Sequence, residues 1–107
     1  MNNRRKHVRV PVRAQVICIA DTGSFRGVTW NVSQSGIQVE IPDLKRKANV
    51  HLTFRLPLSE TIIDARGAVV WRSEKRHGIK FKEIGEQSQE SIRHFIEERS
   101  RGWDGEG

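Results

Sequence analysis

Between Arg13 and Ile84 apolar and polar residues alternate with a period of two, the mark of strands with one buried face. Ala14, Val16, Cys18 and Ala20 form the apolar face of a first strand, and Asp21–Ser24 supplies turn residues. Val28 and Trp30 alternate in a second strand, and Ile37, Val39 and Ile41 in a third. Pro42 and the polar run to Asn49 interrupt the pattern, which resumes at Val50, Leu52, Phe54 and Leu56. The run Thr61–Trp71 is long for one straight strand, and Gly67 within it predicts a bulge or bend. A short turn near Ser73–Arg76 leads into a last strand, His77–Ile84. The period then changes: Ile92, Phe95 and Ile96 stand at i, i+3 and i+4, which predicts an amphipathic helix from Glu86 or Ser88 to Arg99. Six short strands and a terminal helix make an all-β domain, a small antiparallel barrel rather than a βαβ sheet.

The chain has 107 residues, suited to one domain with its own core. Three segments are expected: a flexible basic arm at 1–12, the barrel with its helix at 13–100, and a polar tail at 101–107. No internal repeat or second domain is visible. Charged residues make up 30% of the chain, and no apolar run approaches the roughly 20 residues of a membrane span. No secretory signal is evident, and the one cysteine, Cys18, has no partner for an internal disulfide; a cytoplasmic location is expected.

Charge adds a functional hint. Residues 1–13 carry Arg4, Arg5, Lys6, Arg9 and Arg13 and no acid, while residues 83–107 carry seven acids against three bases. The front of the chain is suited to an anionic partner. Arg5 and Arg9 are four apart, and Pro11 discourages helix, so this segment reads as an extended arm. A guanidinium donates two parallel hydrogen bonds to a phosphate or to the O6/N7 edge of guanine, and its face stacks on a purine.

The second candidate segment is Asn31-Val32-Ser33-Gln34-Ser35-Gly36. As a plain connection it contains ordinary turn formers. As half of a site it offers the Asn31 amide to a base edge and the Ser33 hydroxyl to a base or phosphate. Gly36 lets the backbone turn sharply or approach a ligand. Neither segment is specific alone.

Together they resemble the PilZ domain family, bacterial receptors for cyclic di-GMP. The family's RxxxR element matches Arg5 and Arg9, and its (D/N)xSxxG element matches Asn31, Ser33 and Gly36. The likeness covers nearly the whole chain, including Val69–Trp71, Gly78–Phe81 and the closing helix. It implies a six-stranded antiparallel PilZ-like β-barrel with a C-terminal α-helix, and a cyclic di-GMP site between the arm and the Asn-Ser-Gly loop. Arg4, directly before the first element, is the residue the resemblance links to a stacked pair of ligand molecules, against a single one. Trp71 is either a stacking partner for the nucleotide or a partly buried barrel residue.

The expected role is a receptor or adaptor whose arm changes conformation on nucleotide binding and signals to an unidentified downstream protein. Proteins that this chain resembles serve motility, exopolysaccharide synthesis, pili or transcription. Catalysis is not expected: the four histidines lack metal-ligand spacing, and there is neither a nucleophile elbow nor a P-loop. No metal or cofactor is expected besides the ligand. Two alternatives remain: a non-specific nucleic-acid-binding module using the same arm, and a PilZ-like protein adaptor that binds no nucleotide.

Overall fold

The computed structural model describes residues 8–42, 44–57 and 59–106. Arg4 and Arg5 lie outside the described residues. Seven strands form one sheet: β1 (Val10–Pro11), β2 (Gln15–Ala20), β3 (Gly23–Val32), β4 (Gly36–Glu40), β5 (Asn49–Arg55), β6 (Ile62–Ser73) and β7 (Arg76–Ile84). Their order is β1-β3-β2-β5-β6-β7-β4, and pairing of β4 back onto β3 closes β2–β7 into a six-stranded antiparallel barrel. β1 is an addition to that barrel, held on β3.

The alternation read from the sequence sets which side chains turn inward. Val16 and Cys18 of β2, Ile37 and Val39 of β4, and Leu52 and Phe54 of β5 all lie in one core with Ile63, Val69 and Ile79. Burial pushes the Cys18 thiol up to about 11, so it stays protonated and behaves as a small hydrophobe. α1 (Glu86–Glu106) packs on β6 and β1 and adds Ile92, Phe95 and Ile96 to the same core. The Asp64 N–H donates to the Ser88 hydroxyl at 3.1 Å, which ties the first turn of α1 to β6. Among the described residues no helix is long and apolar enough to cross a membrane.

Two boundaries differ from the sequence reading. α1 runs to Glu106 rather than stopping at Arg99, so residues 101–106 of the expected tail are helical. The arm is also shorter than 1–12: residues 10–12 belong to the barrel. Val10 pairs with Val32 and Pro11 with Asn31, and Val10 and Val12 are buried. Their spacing carries the two-residue period back across Pro11, which β1 accommodates because a short strand at the sheet's margin can spare one N–H.

Thr29 secures this junction. It is fully buried; its hydroxyl donates to the Val12 carbonyl at 2.7 Å and accepts from the Ala14 N–H at 2.9 Å. The backbone adds Val12 N–H to Trp30 O at 3.0 Å and Thr29 N–H to Ala14 O at 2.9 Å. One side chain therefore satisfies two backbone groups in the connection from β1 to β2, where the ladder to β3 is interrupted.

β6 is long because it bends. The register shifts between Arg66 and Gly67, leaving Lys82 of β7 as the extra residue, so the irregularity expected at Gly67 lies in the strand opposite. A Cβ at Gly67 would stand 2.2 Å from the Lys80 carbonyl oxygen. β7 thus crowds β6 at that point, and only glycine fits. His77 is fully buried and holds the connection before β5: its Nδ1–H donates to Lys75 O at 2.9 Å and its Nε2 accepts from Leu44 N–H at 3.0 Å.

Replacing Thr29 by valine keeps the volume but leaves the Ala14 N–H and the Val12 carbonyl without this partner. The expected loss is about 1–3 kcal/mol of unfolding free energy. It should appear as a lower urea midpoint with an unchanged m-value; an unchanged midpoint would mean that the Thr29 bridge is not what fixes the junction.

Candidate ligand site

β3 ends at Val32 and β4 begins at Gly36, and Ser33 builds the turn between them. Its N–H donates to Gly36 O at 2.8 Å. Its hydroxyl oxygen accepts from the Ser35 N–H at 3.2 Å and the Gly36 N–H at 3.1 Å, and lies 3.2 Å from Ser35 Oγ. Only 4% of Ser33 is exposed. The hydroxyl that the motif offered to a ligand is therefore largely committed to shaping the loop. β7 fixes the loop from its other side, through Phe81 N–H to Ser35 O at 2.9 Å.

Gly36 has an equally local cause. Its φ is not in the left-handed region, but an added Cβ would lie 2.4 Å from the Ile79 carbonyl oxygen. The glycine is where β4 comes closest to β7, and the absent side chain also leaves the loop floor open.

Asn31 sits at a bulge. Thr29 pairs with Val39 but Asn31 with Gln38, so Trp30 is an extra residue on β3 and the following side chain is re-aimed. Trp30 itself turns to the side. Its Nε1–H donates to Glu40 Oε1 at 3.1 Å, and the guanidinium carbons of Arg76 and Arg13 lie 3.9 and 5.0 Å from the ring centre. The Asn31 amide is half-buried and makes no hydrogen bond to any described residue.

Trp71 is placed by a matching bulge. Val69 pairs with Ile79 and Trp71 with Gly78, which makes Val70 the extra residue on β6. The indole then lies over Gly78, where a Cβ would stand 2.3 Å from Trp71 Nε1. Arg9 precedes Val10, the partner of Val32, and so enters beside Ser33.

These placements converge. Arg9, Asn31, Ser33, Gly36 and Trp71 line one cleft of about 190 Å³ with Gln38 and Lys80. The structure brings together every described residue singled out from the sequence, while Arg4 and Arg5 lie outside the described residues. Gln38 and Lys80 were missed because each looks like an ordinary outward position of an alternating strand. A wider hollow of about 930 Å³ lies on the β2–β3–β5 side between Ile17, Arg26 and Arg55, and none of Arg9, Asn31, Ser33 and Gly36 lines it. Among the described residues no group of three or more His, Cys, Asp or Glu gathers to hold a metal.

A family model for the PilZ domain matches residues 3–98, and the chain belongs to that family. No curated protein sequence matches it closely. Among solved structures it is similar to the Bacillus subtilis inhibitor of motility MotI/DgrA, with a TM-score of 0.80 and 24% identity over 94% of this chain and 53% of that one. It is also similar to YcgR from Escherichia coli in complex with c-di-GMP, with a TM-score of 0.79 and 12% identity over 96% of this chain and 49% of that one. The PilZ domain of YcgR with c-di-GMP matches with a TM-score of 0.72 and 10% identity, over 97% of both chains. This chain thus spans about half the length of the two longer structures, and at these identities the likeness concerns the fold.

Because Ser33 and Gly36 shape the loop, substituting either should reduce stability as well as any binding. Ser33→Ala removes the acceptor for two N–H groups and Gly36→Ala forces β4 away from Ile79, each by about 1–3 kcal/mol. Thermal or urea unfolding checks this, and wild-type midpoints in both variants would show that the loop is held by something else.

Proposed function

We propose that this chain is a cyclic di-GMP receptor that clamps its ligand between the N-terminal arm and the outer face of β3, β4, β6 and β7. One observation carries the reading: β1 seats Arg9 beside the Ser33–Gly36 loop, in a cleft shared with the Asn31 amide and the Trp71 indole. Cyclic di-GMP carries two phosphates and two guanines. Arg9 suits a phosphate or a guanine O6/N7 edge, Asn31 suits a base edge, and Trp71 offers a stacking face. Four residues of chain span at most about 14 Å, so Arg5 is tethered within reach of the same cleft. Membership of the PilZ family and the likeness to the YcgR complexes support this choice of ligand.

Mechanistically, the junction at residues 10–14 is the hinge, and the residues before Arg9 are the moving part. Ligand phosphates draw the cationic arm onto the barrel, and the altered surface is what a downstream protein reads, in the cytoplasm. The stretch that orders is shorter than the sequence implied, which lowers the entropic cost of closure. Arg4 precedes the first motif residue and is assigned to a second, stacked ligand molecule.

Titration calorimetry of the full chain tests the reading. Four or five charge-assisted contacts, less the cost of ordering the arm, amount to about −8 kcal/mol, a micromolar Kd or tighter. GMP and cyclic di-AMP should compete poorly. Arg9→Ala should weaken binding by about tenfold or more with an unchanged unfolding midpoint, because Arg9 is exposed. Amide exchange within residues 2–9 should slow on adding ligand. Equal binding of many oligonucleotides, falling steeply with salt, would instead identify a general nucleic-acid module.

A further inference from the structure

The strand registers place the cleft residues in two rows. Asn31 pairs with Gln38, Gln38 with Gly78, and Gly78 with Trp71, so these four form one row across β3, β4, β7 and β6. Gln38 stands between the buried Ile37 and Val39 and therefore points outward. Trp71 leans over Gly78, which brings its indole to the strand next to Gln38. The two bulges, at Trp30 and Val70, fall at the two ends of this row and aim Asn31 and Trp71 onto the same face.

The second row lies two residues away, on the same face of the sheet. Gly36 pairs with Lys80, Ser33 N–H bonds to Gly36 O, and Arg9 enters beyond Ser33. Two small residues thus form a floor with a cation at either end, separated by three strand spacings, roughly 14 Å between backbones. Lys80 is exposed, and neither it nor the Gln38 amide makes a side-chain hydrogen bond or ion pair with any described residue. One row is amide and aromatic, and the other is cationic.

We infer that β4 and β7 supply two ligand contacts outside both motifs: the Gln38 amide to a guanine edge and the Lys80 ammonium to a phosphate. This rests on the cyclic di-GMP reading above. A cyclic dinucleotide holds its two phosphodiesters on opposite sides of one ring, so cations confined to the arm approach it from one side only. Lys80 provides the opposing charge from a rigid strand. A primary amide presents a donor and an acceptor together, which matches the O6 and N1–H pair of a guanine lying beside the indole. Ligand phosphates then lie along the Arg9–Lys80 row and a base along the Asn31–Trp71 row.

The test compares cyclic di-GMP binding by the full-length wild type with Gln38→Leu, Lys80→Gln, Lys80→Arg and Lys82→Gln. Lys82 is the next outward-pointing lysine of β7, but it lines a different hollow with His51 and Glu83, and so controls for charge alone. Gln38→Leu and Lys80→Gln should each weaken binding by about tenfold. Lys80→Arg should stay within about twofold, Lys82→Gln should match the wild type, and all unfolding midpoints should be unchanged. Wild-type affinity in Lys80→Gln or in Gln38→Leu overturns the inference while leaving the receptor reading intact. An equal loss in Lys82→Gln also overturns it, by showing that net charge and not contact matters. A wild type that binds no cyclic di-GMP overturns the receptor reading itself.

Discussion

Two residue pairs, Val10 with Val32 and Pro11 with Asn31, join the front of the chain to the end of β3. Val10 and Val12 sink into the core, and the Thr29 hydroxyl bridges the gap in the ladder beside them. The convergence of the N-terminal segment on the candidate site depends on this junction. Without it Arg9 would be one cation on a loose tail, equally able to sample any face of the barrel. With it, the backbone delivers Arg9 to the side of the Ser33–Gly36 loop, and the cost of bringing distant segments together is met by core burial rather than by the ligand.

The barrel side is pre-organised by crowding. Gly36, Gly67 and Gly78 all stand where a neighbouring strand or ring leaves no room for a Cβ. At Gly78 the neighbour is the Trp71 indole, so a missing side chain on one strand positions an aromatic from the next. Bulges at Trp30 and Val70 complete the arrangement, since each inserts one residue and re-aims the side chain after it. The candidate face is thus fixed in place where it is polar and aromatic.

Much of this was legible in the sequence, for a physical reason. A half-buried strand writes its period into the chain, so β2–β7 could be read from residues such as Val16, Cys18, Leu52 and Phe54. β1 escaped because Pro11 reads as a break, although Val10 and Val12 continue the period on either side of it. The last turns of α1 escaped because Gly102 and Gly105 are poor helix formers. Asn31, Ser33 and Gly36 were found by their spacing, but spacing does not show that Ser33 and Gly36 work on the loop itself. Gln38 and Lys80 were hidden for a different reason. Their neighbours across the sheet follow from strand register, and register depends on where the bulges fall, which alternation does not record.

The central claim is that arm and barrel face meet over the same ligand site, and chemical-shift mapping of the isotopically labelled chain during a cyclic di-GMP titration tests it most directly. The account predicts that the largest shifts fall on Arg9, Asn31, Gln38, Gly78 and the Trp71 indole N–H, with β2 and β5 nearly silent. Saturable shifts centred instead on the hollow between Ile17, Arg26 and Arg55, with Asn31 and Trp71 unmoved, would contradict it.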